Sequence, residues 1–172
     1  MSGGGTYWIG LGANLGDRRA ALAGAVAELG RRGLRVEAAS RIWETAPREI
    51  EDQPAFLNAA VRARSELPPP QALAVCKATE VALGRVEGVR AGPRAIDCDL
   101  LVWSRGDWFE DALEIPHPRL GERRFALLPL LDLDPELALP DGRRLDDLLS
   151  RLDPAAQPAR VALDETGWFH GA

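Results

Sequence analysis

Residues Ile96-Asp97-Cys98-Asp99-Leu100-Leu101-Val102-Trp103 alternate apolar and acidic side chains and then continue as an apolar run. Successive side chains on a strand leave opposite faces. The segment is therefore a strand with Ile96, Cys98 and Leu100 on one face and Asp97 and Asp99 on the other. A fold that accommodates it must cover one face of a sheet and leave part of the other open. The two carboxylates sit roughly 6–7 Å apart along the strand. At an effective dielectric of about 20 they repel by roughly 2–3 kcal/mol. A solvated edge strand tolerates that cost, and a bound cation reverses it. Oxygen ligands at this spacing suit one or two Mg²⁺ ions, which usually arrive with substrate phosphates. Gly92-Pro93-Arg94 precedes the strand, and Arg94 supplies a fixed cation for such phosphates. That combination favours cation binding over solvated aspartates.

The chain of 172 residues is long enough for one domain with a real core, and its hydrophobic content is ordinary at 46%. No apolar run approaches the roughly 18 residues of a membrane span. Met1 to Gly5 reads as a flexible start without a basic, apolar signal segment, so a cytoplasmic protein is expected. Cys76 and Cys98 are far apart, each in an apolar pattern, and read as buried reduced thiols. A net charge of −5 argues against a general nucleic-acid binder. Arginines nevertheless gather at 85, 90, 94, 119, 123 and 124, around the aspartates and His117. Clustered in space, they would favour a polyphosphate ligand.

Periodicity orders the rest. Tyr7 to Leu11 is a strand, and Asp17 caps a helix to about Gly30 with Leu22, Val26 and Leu29 on one stripe. Leu34 to Trp43 reads as a second strand, and Glu44 to Pro54 as a loop. Phe56 to Glu66 is a third strand, with Asn58, Arg62 and Arg64 on its polar face. Pro68-Pro69-Pro70 opens a helix to about Val86. The order β-α-β-β-α-β is the split, ferredoxin-like α+β arrangement: an antiparallel sheet with both helices on one face. Beyond it, Ser104 to Asp107 reads as a hairpin turn with a short strand after it. Glu122 to Leu131 and Leu145 to Leu152 read as helices. Residues 153–172 read as a loosely packed tail of a single domain spanning 1–172.

The chain resembles the 6-hydroxymethyl-7,8-dihydropterin pyrophosphokinases of folate biosynthesis. The resemblance rests on Ile9 to Asp17, Glu44-Thr45-Ala46-Pro47, Asp52 to Val61, Gly92 to Leu101, and Ile115-Pro116-His117-Pro118-Arg119 through Leu130. It covers about residues 6–150 and implies the same ferredoxin-like core. It also implies transfer of pyrophosphate from ATP to the hydroxymethyl oxygen of the pterin, leaving AMP. By resemblance, Asp97 and Asp99 hold two Mg²⁺ ions, and Arg85 and Arg94 act in catalysis. Glu80, Arg85, Arg94, Leu100, His117 and Arg123 serve ATP. Asn14, Thr45, Ala46, Pro47, Phe56, Asn58 and Phe125 serve the pterin, with Phe125 stacking on its ring. The Asn58 amide offers a donor and an acceptor, which suits an aminopyrimidinone edge. No nucleic-acid or membrane partner is expected, and the expected state is a monomer.

The sequence departs from the family pattern around the proposed lid, 85–93. The stretch is one residue short, with Glu87 and Gly88 in place of basic residues and Ala91 in place of tryptophan. Lys77 stands in place of glutamine, and Pro118 in place of tyrosine. Two other classes share the core. A regulatory binding domain leaves Asp97, Asp99 and the arginines unexplained. An RNA-recognition module wants aromatics where Asp97 and Asp99 stand.

Overall fold

The computed structural model describes residues 3–86, 88, 92–163 and 167–170. Strand β1 (Gly5–Ala13) leads to helix α1 (Arg18–Arg31), whose N-cap is Asp17, with its carboxylate accepting the Ala20 amide at 3.0 Å. Strands β2 (Arg35–Ala39) and β3 (Ile42–Thr45) follow, then β4 (Phe56–Ser65), helix α2 (Pro69–Ala82) and β5 (Asp97–Trp103). The main sheet runs β5-β1-β4-β3, with β2 pairing the far half of β4, and these pairings are antiparallel. This is the ferredoxin-like α+β core expected from the sequence.

Three elements differ from the periodicity reading. The strand expected at 34–43 is split: Ser40 breaks it, accepting the Ala60 amide on its hydroxyl at 2.8 Å while its own amide pairs with the Ala60 carbonyl. The α2 helix ends at Ala82 rather than about Val86, because Gly84 turns the chain at a φ of +91°. The strand after the turn at 104–107, β6 (Trp108–Glu110), pairs with β7 (Leu113–Ile115) in a separate ribbon rather than with β5. Helix α3 (Arg124–Leu133), α4 (Leu145–Ser150) and a strand, β8 (Ala159–Leu163), complete the chain. The tail read as loosely packed carries β8, which extends the sheet by pairing with β3, and Trp168, which packs against the core and donates to the Ser40 carbonyl at 2.8 Å.

Both faces of the sheet are apolar where they are covered. Tyr7, Ile9, Leu11, Cys98 and Leu100 pack under α1 and α2 with Leu22, Leu29 and Cys76. On the opposite face, Ala60, Leu101 and Val102 pack under α3 and α4 with Leu127, Leu130 and Leu148. The α3 helix covers only part of that face. The uncovered part, at the ends of β1, β4 and β5, is a cleft. Both cysteines are buried and free, and burial pushes the Cys76 thiol up to about 12. Among the described residues, no helix is long and apolar enough to cross a membrane.

Candidate active site

The floor of the cleft is built from register. In the antiparallel pair, Asp97 lies opposite Gly12 and Asp99 opposite Gly10, and Gly12 lies opposite Asn58 on the next strand. Directly opposed residues project on the same face. Two glycines beside two aspartates therefore leave open space where neighbouring side chains would stand. A Cβ at Gly12 would come within 2.8 Å of Asn58 Oδ1, so only glycine lets that amide lie where it does. Gly10 and Gly12 were not singled out from the sequence; their alternation with buried Ile9 and Leu11 was the available signal.

The aspartates differ in their surroundings. Asp97 accepts Arg85 Nη1 on Oδ1 at 2.6 Å and Arg94 Nη1 on Oδ2 at 3.1 Å. Arg85 also bridges to Glu80 at 2.9 Å, and Glu80, 3% exposed, accepts the Cys98 amide at 2.9 Å. Asp99 has no hydrogen bond or ion pair to another described residue. Burial, and then the neighbouring Asp97 charge, push its carboxyl up to about 7.

The opposite wall carries apolar and amide groups. Asn58 Nδ2 donates to the Thr45 hydroxyl at 2.6 Å, which fixes the amide and leaves its oxygen toward the cleft floor. Thr45, Ala46, Pro47, Phe56, Phe125 and Arg123 line the same space as Arg94, Asp97 and Asp99. The Arg94 guanidinium lies 5.6 Å from the Phe56 ring centroid, and that of Arg123 lies 5.5 Å from Phe125. Asn14, 2% exposed, is a hub beneath the wall. Its Oδ1 accepts the Arg94 amide at 2.9 Å, and its Nδ2 donates to Gln53 and to the Pro54 carbonyl.

His117 sits at the margin, its amide on the Leu101 carbonyl. Its Nδ1 accepts the Arg119 amide at 3.2 Å, so the neutral ring carries its proton on Nε2. Burial and the charges of Arg123 and Arg119 push its pKa down to about 4.

Most residues singled out from the sequence thus meet in one cleft. Arg85 and Glu80 reach it through Asp97, and Asn14 supports it from below. Leu100 is the exception: its side chain is 3% exposed and packs in the core beneath the helices. The strand alternation that opens Asp97 and Asp99 to the cleft directs Leu100 away from it. The same alternation puts Leu101 on the cleft face, where it lines the cleft. Arg48, Glu49 and Gln53 also line the cleft and were missed, and Arg119, counted only among the gathered arginines, lines it too. The loop that follows β3, 46–55, begins two residues later than expected and is latched beside the cleft, with Arg48 donating to the Glu122 carbonyl at 3.0 Å and Glu49 paired with Arg119 at 3.2 Å. The expected lid at 85–93 includes Glu87, Val89, Arg90 and Ala91, which lie outside the described residues.

The chain is similar to proteins of known name. A family model for 7,8-dihydro-6-hydroxymethylpterin-pyrophosphokinase matches residues 8–135. A 2-amino-4-hydroxy-6-hydroxymethyldihydropteridine pyrophosphokinase of Methylorubrum extorquens is 43% identical over 149 residues, covering 86% of this chain and 94% of its own length. One of Bacillus subtilis is 42% identical, covering 73% of this chain and 76% of its own. A mitochondrial bifunctional folate synthesis protein of Pisum sativum is 42% identical, but the chain spans only 24% of that protein. The crystal structure of an HPPK-DHPS in complex with substrates superposes with a TM-score of 0.69 at 15% identity. It covers 86% of this chain and 43% of that one, a likeness of fold.

Proposed function

The chain belongs to the 7,8-dihydro-6-hydroxymethylpterin-pyrophosphokinase family, and on that premise we propose that the cleft beside Asp97 and Asp99 is its active site. The enzyme transfers pyrophosphate from ATP to the hydroxymethyl group of 6-hydroxymethyl-7,8-dihydropterin, giving AMP and the pterin diphosphate in folate biosynthesis. The reaction type calls for Mg²⁺.

The donor set fits that ion. Two carboxylates offer hard oxygen ligands, and Asp99 is half-buried with its charge uncompensated by a direct partner, a state that a cation relieves. Asp97 and Asp99 would hold two Mg²⁺ ions, which would neutralise the charge that develops on the phosphate oxygens. Arg85 and Arg94 balance Asp97, and the same guanidiniums are donors for the triphosphate. Arg123 adds a cation from the facing wall. His117 donates from Nε2 and stays neutral at physiological pH, so it does not compete with the arginines for phosphate charge.

The pterin lies on the other side of the floor. The Asn58 amide, held by Thr45, reads its polar edge, and Phe125 and Phe56 flank its ring. Backbone groups of Thr45-Ala46-Pro47 complete the subsite. In-line attack of the hydroxymethyl oxygen on the β-phosphorus then needs orientation and charge balance, not covalent help from the protein. One copy supplies both subsites, so a monomer suffices for the reaction.

The observation that carries this reading is that both Asp97 and Asp99 lie opposite glycines, one of which also faces Asn58. The test is AMP formation from ATP and the pterin, with Mg²⁺ and with chelator. Mg²⁺-dependent AMP that disappears in Asp99→Asn is expected. Undiminished turnover of that variant would refute the assignment of the site.

A further inference from the structure

The two walls of the proposed pterin subsite are joined by a residue beyond the stretch that the family model matches. Arg123 is the N-cap of α3, and no side chain of its own caps the helix. The first amides of a helix have no partner within it. Here Gln157 supplies one: its Oε1 accepts the Arg124 amide at 2.9 Å. Its Nε2 donates to the Glu122 carbonyl at 3.0 Å. An amide nitrogen is only a donor and an amide oxygen only an acceptor, so the two partners fix the orientation of the group. The Glu122 carbonyl and the Arg124 amide belong to the peptide groups on either side of Arg123. One primary amide therefore brackets the residue that faces the phosphates, two positions before Phe125.

The bracket is itself anchored. The Gln157 carbonyl accepts Arg124 Nη1 at 2.7 Å, and its amide reaches the Asp153 carbonyl at 3.2 Å. The next residue, Pro158, receives the Ala46 amide at 3.4 Å, and Ala159 begins β8 opposite Thr45. A side cavity lies between these segments, lined by Ala46, Pro47, Phe125, Ala156, Gln157 and Pro158. Ala46, Pro47 and Phe125 line the main cleft as well. The tail is thus one layer behind the pterin wall and touches both of its halves. The family model stops at residue 135, so this contact is not part of what it matches.

We propose that Gln157 is a positioning residue for the transfer. It holds the backbone around Arg123 so that Arg123 and Phe125 face Asn58 and Asp99 across the cleft at the separation the pterin requires. The proposal rests on the pyrophosphokinase reading of that cleft. It does not require Gln157 to touch substrate.

Steady-state kinetics of Gln157→Ala and Gln157→Glu test it. Two neutral hydrogen bonds are lost in the alanine variant, so kcat/KM for the pterin at saturating ATP should fall on the order of tenfold. Glutamate keeps the acceptor for Arg124 but turns an oxygen toward the Glu122 carbonyl, so it should be no better than alanine. A purely stabilising contact would instead lower the thermal midpoint and leave the kinetics of the folded fraction unchanged. A double-mutant cycle with Phe125→Ala separates the two: the losses in kcat/KM should be non-additive if Gln157 acts through this corner. Wild-type kinetics in both Gln157 variants, or additive losses with Phe125→Ala, would overturn the proposal. Failure of the wild-type enzyme to form AMP would instead overturn the reading on which it rests.

Discussion

The chain carries Asp-x-Asp twice, and the two copies are used in opposite ways. Asp132 and Asp134 close α3 over the covered half of the sheet. Asp132 accepts both Nε and Nη2 of Arg41, at 3.2 and 2.9 Å, and the Trp43 indole at 2.9 Å. Asp134 accepts Arg62 and the Trp8 indole. Trp8, Trp43 and Arg62 lie on the strands beneath and Arg41 in the link between β2 and β3, so each carboxylate is a staple between helix and sheet. Asp97 and Asp99 lie in the uncovered half. Asp97 is shared by two arginines that line or border the cleft, and Asp99 has no direct partner among the described residues. Spacing in the chain does not separate a structural pair from a chemical one. What separates them is whether the surrounding strands supply donors or glycines.

The largest expected effect puts that contrast at risk directly. Asp97→Asn and Asp99→Asn should each lower kcat/KM by about 10³-fold or more, since each removes a cation ligand. Asp132→Asn should leave kcat/KM within a few-fold and lower stability by about 1–3 kcal/mol, because charged donors lose their acceptor at a partly solvated site. If urea denaturation and turnover gave the reverse assignment, the distinction between the pairs would collapse.

Asn58→Ala sharpens the comparison within the cleft. It should weaken pterin binding by about 1–3 kcal/mol and spare ATP, because polar groups of the pterin lose their partner in a closed pocket. Calorimetry with each ligand alone measures this, and a selective loss of ATP affinity would exchange the two subsites.

Two arginine-to-lysine changes should diverge in the same way. Arg94→Lys keeps the charge but loses the planar fork, and kcat should fall by about tenfold, more than ATP binding weakens. Arg41→Lys breaks the two-pronged contact with Asp132 and should cost stability of about 1 kcal/mol without that loss in kcat. Matching kinetics for both lysine variants would mean that Arg94 is also only a staple.

The smallest effect is the pH dependence of the metal-free protein. Asp99 is raised from the ordinary carboxyl range to about 7. Between pH 4 and 7 the folded state therefore holds a proton that the unfolded state releases, and stability falls as pH rises through this window. Asp99→Asn removes the group, so its stability relative to wild type should climb from pH 4 to pH 7 and then level off. Asp97→Asn should not share the gain, because it removes the ion-pair partner of Arg94 and one of the two partners of Arg85. Parallel curves for wild type and Asp99→Asn in chelator would show that Asp99 is not held uncharged by burial.

What was legible beforehand was local. Asp17 announced a helix start because a short acidic side chain reaches a free amide three residues on. Asn58 and Phe56 fell on the polar face of β4 by period alone. Leu100 shows the reverse: resemblance brought it to the nucleotide, while the alternation around it already directed its side chain into the core. Ser40 looked like an ordinary strand residue, and its hydroxyl replaces a ladder contact only because Ala60 lies across from it.

The sequence by itself therefore determined the order of the β-α-β-β-α-β core, the helix start at Asp17, and which side chains of each strand share a face. These depend on backbone periods and on contacts a few residues long. The tertiary structure alone decided that Gly10 and Gly12 face Asp99 and Asp97, that Arg85 joins Glu80 to Asp97, and that β8 edges the sheet. It alone decided that Gln157 brackets Arg123 from 34 residues away. Such contacts depend on strand register and helix docking. Those are set by burial summed over the whole core, and no short window of residues contains that sum.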